Sequence, residues 1–171
     1  MSLFQRIFGE TKQRAPLQPL YRAVVAKGRD PAWYRDGQVP DTIDGRFDMV
    51  AAILSLVLLR LEHEGEAARD QSVLLTEIFI EDMDGTLRQI GIGDYVVGKH
   101  VGRMMSALGG RLGALREARA AGALDEAVTR NIFHEAPPSP EAVAFVAAGL
   151  ARFADALDAT PTDSILAGTL P

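Results

Sequence analysis

The greasiest stretch of the chain is MVAAILSLVLLRL, residues 49–61, which is apolar on almost every side. A membrane-spanning helix needs about 20 such residues. This run has 13, with Asp44, Arg46 and Asp48 ahead of it and Arg60 inside its end. It therefore reads as a central buried helix covered on most sides by others. Pro40 breaks the chain before it, Asp41 or Thr42 is placed to cap it, and Gly65 stops it. Upstream, Pro16 and Pro19 open a helix with Leu20, Tyr21, Val24 and Val25 inward, and Gly28 ends it. Asp30 and Pro31 supply an N-cap and a first-turn proline for a short segment carrying Trp33 and Tyr34. Trp33 reads as a core anchor.

Downstream, Leu74, Ile78, Met83, Leu87 and Ile90 recur at helical spacing over residues 66–90. Glu77, Glu81 and Asp84 form a second, acidic stripe. Gly85 falls inside this pattern and marks a bend or an end. Gly91 and Gly93 suit a C-cap and a turn, and Asp94 suits the next N-cap. Residues 77–99 thus form a charged helix–bend–helix corner. Its polar edge carries Asp82, Asp84 and Arg88 on one side and Asp94 and Lys99 on the other.

The helix from Asp94 to about Arg119 has an apolar set of Val97, Val101, Met104, Met105, Leu108, Leu112 and Leu115. It also holds Gly98, Gly102, Gly109, Gly110 and Gly113. Such density weakens a helix unless another backbone approaches closely, and it predicts a kink near Gly109-Gly110. A short helix over 124–133 follows. EAPPSP breaks the chain, and Ser139-Pro140-Glu141 starts a last helix with Val143, Val146, Leu150, Phe153 and Leu157 inward. Residues 158–171 read as a tail in which Ile165 and Leu166 are able to dock. The fold class is all-α: a single-domain helical bundle of about six to seven helices around a buried central helix. An arm (residues 1–14) precedes a helical domain (15–157) and the tail (158–171).

Charge changes this picture at one end. Residues 1–29 hold six basic groups and one acid, whereas residues 30–171 hold 12 basic and 22 acidic groups. A basic arm on an acidic body points to an anionic surface as the arm's partner and argues against DNA or RNA lying across the domain. In SLFQRIFG, Leu3, Phe4, Ile7 and Phe8 share one face and Arg6 lies off it. That pattern fits a peripheral membrane foot, with apolar side chains dipping into the interface and basic groups on anionic headgroups. A short helix docked on its own domain is the other reading. The segment is too short for a signal peptide's apolar region.

Catalytic and cofactor motifs are missing. The chain has no cysteine, which removes disulfides, thiolate metal sites and cysteine nucleophiles. His63, His100 and His134 each lack a Glu three residues before them, so the acidic cluster is not a helical di-metal site. Asp82-x-Asp84 lacks the later ligands of a calcium loop. GIGDYVVG has no strand before it and the wrong spacing for a dinucleotide loop. The expectation is no enzyme, no cofactor and no metal.

Three blocks carry a resemblance: WYRDGQVPDTIDGRFDMV (33–50), TEIFIEDMDGTLRQIGIGDYVVGKHV (76–101) and GGRLGALREA (109–118). Together, in this order, they resemble the ubiquinol–cytochrome c chaperone family, assembly factors for cytochrome b of respiratory complex III. The third block carries Leu108-Gly109 where the family is expected to carry an aromatic pair. The resemblance implies an all-α domain that binds newly made cytochrome b and holds it for assembly. It places the family's motif positions on Asp41, Thr42, Gly45, Arg46, Asp82, Asp84, Arg88, Gly93, Asp94 and Lys99, with no catalytic role. Candidate partner contacts are Asp41, Arg46, Asp82, Asp84, Arg88, Asp94, Lys99 and Arg111. Candidate membrane contacts are Leu3, Phe4, Arg6, Ile7 and Phe8. The basic apolar foot suits a short bacterial form, cytoplasmic and peripheral to the inner membrane, and leaves ribosome contact open. The alternatives are a haem- or quinone-binding helical module, with a groove lined by Met104 and Met105, and a structural adaptor subunit.

Overall fold

In the computed structural model, every regular element among the described residues is helical. The structure describes residues 15–89, 94–134 and 136–171, with the backbone alone at 15, 87–89, 94–101, 103 and 104. A 3-10 turn, Ala15–Leu17, leads into α1 (Gln18–Gly28), followed by α2 (Pro31–Arg35) and α3 (Ile43–Glu62). A second 3-10 turn, Gly65–Ala68, leads into α4 (Arg69–Gln89). Then come α5 (Asp94–Ala121), α6 (Leu124–Asn131), α7 (Pro140–Ala159) and α8 (Thr162–Leu166).

The apolar run expected at the centre is there. Met49, Ile53, Leu54, Leu56, Val57 and Leu61 of α3 are all essentially inaccessible. Helices α1, α4, α5 and α7 pack around it. Each such side chain contributes roughly 1.5–3 kcal/mol on burial, so a helix apolar all round is stable only inside this cover. Its one buried hydroxyl, Ser55, donates to the Ala51 carbonyl at 2.7 Å, one turn back. Thr42, rather than Asp41, caps α3: its Oγ1 accepts from the Gly45 N–H at 3.1 Å. No helix among the described residues is long and apolar enough to cross a membrane.

Close approaches lock the smaller helices onto this centre. At Gly28 a Cβ would lie 2.8 Å from Val50 Cα, so only glycine lets the end of α1 touch α3. The Trp33 ring rests on Gly149 of α7, and its Nε1 donates to the Lys27 carbonyl at 2.8 Å. That is the core-anchor role expected of it. Ser139 caps α7 by accepting from the Ala142 N–H at 3.1 Å, and Val143, Val146, Leu150, Phe153 and Leu157 are buried as expected.

Arg60, at the end of α3, fastens the far end of α7. Its Nε donates to the Leu157 carbonyl (3.2 Å) and its Nη2 to the Thr160 carbonyl (3.3 Å) and Thr162 Oγ1 (3.0 Å). A cation on the last carbonyls also suits the helix dipole. Within residues 158–171, α8 docks through the two residues the sequence offered for it, with Ile165 fully buried and Leu166 packed against the core.

The glycines within α4 and α5 do not end these helices. Helix α4 runs on through Gly85, and α5 runs unbroken through Gly109 and Gly110. A Cβ added at Gly85, Gly102, Gly109, Gly110 or Gly113 would meet nothing within 4 Å. No neighbouring backbone approaches these positions, so they weaken α4 and α5 without a packing return.

Candidate interaction surface

The charged residues divide into a buried brace, an exposed edge and the rim of an apolar groove. The brace centres on Asp48, only 2% exposed near the start of α3. An acid in such a place needs partners. The Arg111 guanidinium, reaching in from α5, bonds one carboxylate oxygen, and His134 Nε2 lies 2.7 Å from the other. Arg111 also lies over the Phe47 ring, 5.3 Å from its centroid. His134 follows α6 with a left-handed backbone, φ +49°, unusual for a non-glycine residue. Burial pushes the Asp48 carboxyl above the ordinary carboxylate range, with Arg111 and His134 pulling the other way.

Asp48 was visible in the sequence only as a charge flanking the apolar run. The signal that would have found it is its place on the buried helix, where a carboxylate requires a cation. Arg111, a candidate partner contact by resemblance, is 8% exposed and committed to Asp48. Its guanidinium joins α5 to α3 and does not reach the surface.

Of the other candidates, Asp41 and Arg46 pair with each other on the surface at 2.6 Å, beside the start of α3. The pairing holds the Asp41 carboxyl below its ordinary range. Asp82, on α4, accepts from the Tyr21 hydroxyl of α1 at 2.7 Å. Burial, and then that hydrogen bond, drives the Tyr21 phenol well above its usual range. Asp84 stands two residues further along α4 and also engages a partner. The side chains of Arg88, Asp94 and Lys99, and Gly93 altogether, lie outside the described residues, as do Leu3, Phe4, Arg6, Ile7 and Phe8. The bend of the 77–99 corner, residues 90–93, does too.

The groove runs between α3, α4 and α5 and encloses about 580 Å³. Leu58, Val73, Ile80, Met105 and Leu112 give it an apolar lining, and Glu62, Glu77 and Glu81 supply its acidic members. Val73 is 52% and Met105 48% exposed, high for large apolar side chains. Met105 was expected to belong to the inward set of its helix with Leu108 and Leu115. Those two are buried, but Met105 opens onto the groove. Met104, expected beside it in a groove, lies outside the described side chains.

Residues 35–170 match the family model described as ubiquinol-cytochrome C chaperone. Among solved structures, the chain is similar to the crystal structure of the Cbp3 homolog from Brucella abortus. The TM-score is 0.81 and the identity 29%, covering 98% of this chain and 95% of that one. None of the curated proteins matches it. The all-helical architecture and the match over most of its length agree with the resemblance carried by the three sequence blocks, and the chain belongs to the ubiquinol–cytochrome c chaperone family.

Proposed function

We propose that the chain is a non-enzymatic assembly chaperone that binds newly made cytochrome b at the membrane surface and supports biogenesis of respiratory complex III. The observation that carries this reading is the family match across residues 35–170, supported by the likeness to the Cbp3 homolog over nearly the whole chain. The helical body, residues 15–157 with the docked end behind it, holds the client. Asp41, Arg46, Asp82, Asp84, Arg88, Asp94 and Lys99 form the polar edge that meets it. Arg111 contributes by holding α5 against α3 through Asp48.

Exposed ion pairs such as Asp41–Arg46 add little to stability. Their use as an exchangeable edge, whose charges re-pair with a partner, is consistent with that. The arm, through Leu3, Phe4, Arg6, Ile7 and Phe8, is the foot on the anionic inner-membrane surface, on its cytoplasmic side.

Deleting the gene tests the proposal. Assembled cytochrome b falls while its transcript is unchanged, and purified chaperone captures cytochrome b from solubilised membranes. A deletion strain with a normal level of complex III would overturn it.

A further inference from the structure

The α3–α4–α5 groove leaves two large apolar side chains, Val73 and Met105, half exposed on facing helices. Its volume, about 580 Å³, is on the scale of sites that enclose several apolar groups of a ligand. We propose that, away from a membrane, this groove is filled by the chain's own arm, residues 1–14, with Leu3, Phe4, Ile7 and Phe8 on Val73 and Met105. The inference rests on the groove and the arm, and not on the identity of the client.

Three observations select this occupant. The first is where the arm joins the fold. The turn Ala15–Leu17 lies against α4, and four residues later the Tyr21 hydroxyl bonds Asp82 of the same helix. The arm therefore enters beside the helix that supplies most of the groove wall.

The second is reach. Asp82 and Ile80 are two residues apart, so they point about 200° apart around the helix, and the groove is on the far side of α4 from the Tyr21 contact that follows the arm. Passing half-way round a helix of about 10–12 Å diameter takes roughly 16–19 Å. Residues 9–14, drawn out at about 3.3 Å each, span roughly 20 Å. That brings residues 3–8 to the groove.

The third is charge. The arm holds Arg6, Lys12 and Arg14 against a single acid, Glu10. The described groove lining holds Glu62, Glu77 and Glu81 and no basic residue. Glu62 already receives Arg116 at 2.7 Å, and Glu77 and Glu81 also have partners. A carboxylate offers about four acceptor positions, so each can take a second cation.

The same four apolar side chains serve the proposed membrane foot. Groove and bilayer are then exclusive sites for one segment, and leaving the groove for the bilayer uncovers Val73 and Met105.

The test places a photo-crosslinker on the arm of the otherwise unaltered full chain, Phe4→benzoylphenylalanine, at low protein concentration without vesicles. After irradiation, the monomer band is digested and its adducts are mapped by mass spectrometry. Adducts are expected on peptides spanning residues 73–81 and 105–112. Val73→Glu and Met105→Glu, made separately at these half-exposed positions, should each cut the adduct yield roughly tenfold, with helicity and melting unchanged. Adducts scattered over other surfaces, or no monomer adduct, would overturn the proposal. So would adducts found only in crosslinked dimers, which would make a second copy the occupant, or yields indifferent to both substitutions. Failure of the chaperone reading shows separately, as normal complex III in the deletion strain.

Discussion

Replacing Arg111 with methionine removes the cation that neutralises Asp48 and keeps most of the side chain's volume. Asp48 is 2% exposed and Arg111 8%, so the carboxylate loses its main partner without gaining water. Removing one member of a buried ion pair costs about 3–5 kcal/mol. In a chain of this size, each kcal/mol lowers the melting temperature by roughly 2–4 °C, so the drop is about 6–20 °C.

The pH dependence separates this cause from a simple packing defect. Burial already raises the Asp48 carboxyl above its ordinary 3.8, and Arg111 opposes that rise. Without Arg111 it rises further. Folded Asp48 then binds its proton more tightly than unfolded Asp48, so this group's contribution to stability is full below the ordinary carboxylate pKa. It is lost as pH rises through the raised folded value. The variant's deficit is therefore greatest near neutrality and narrows on acidification.

Urea unfolding followed by circular dichroism at about pH 7 and about pH 4.5, beside the unaltered protein, measures the difference. Arg111→Met with Asp48→Asn should recover part of the loss, with a coupling of about 0.5–3 kcal/mol. A deficit that is equal at both pH values, or a double variant no more stable than Arg111→Met alone, would refute the reasoning.

Three further expectations follow from other parts of the molecule. Gly109→Ala with Gly110→Ala should stabilise the chain by about 1–2 kcal/mol, because both positions are helical and a Cβ meets nothing within 4 Å. A lowered melting temperature would show that α5 needs its glycines. Gly149→Ala should destabilise by about 1–3 kcal/mol, since the new Cβ would sit 2.5 Å from the Trp33 ring, and Trp33 fluorescence should shift with it. Phe4→Asp with Phe8→Asp should abolish co-flotation with phosphatidylglycerol vesicles while leaving the helicity of the body unchanged; undiminished flotation would remove the membrane foot.

Much of the fold was legible because its signals are local. Residues 49–61 are too apolar to face water and too few to cross a bilayer, which leaves the centre of a bundle. Pro31 after Asp30 and Pro140 after Ser139 mark helix starts by backbone chemistry alone, and both caps form. The glycines of α5 left two readings open in the sequence: glycine signals either close packing or weakness, and only the neighbours decide. Residues 158–171 looked like a tail because α8 is only five residues long and docks through two adjacent apolar residues, Ile165 and Leu166.

The sequence by itself determined the class of fold, the central helix, the asymmetry of charge and, through three spaced blocks, the family. These are properties of composition, periodicity and order, which do not depend on what meets what. Only the tertiary structure decided that Asp48 and Arg111, 63 positions apart, are one buried brace, and that Arg60 fastens α7 from across the bundle. It alone decided that Met105 opens onto a groove while Leu108 and Leu115 of the same stripe are buried. A residue's spacing states which side of its helix it is on. Whether that side meets another helix, a cation or a gap is fixed by packing between segments far apart in the chain, and the free energy of burial is decided there.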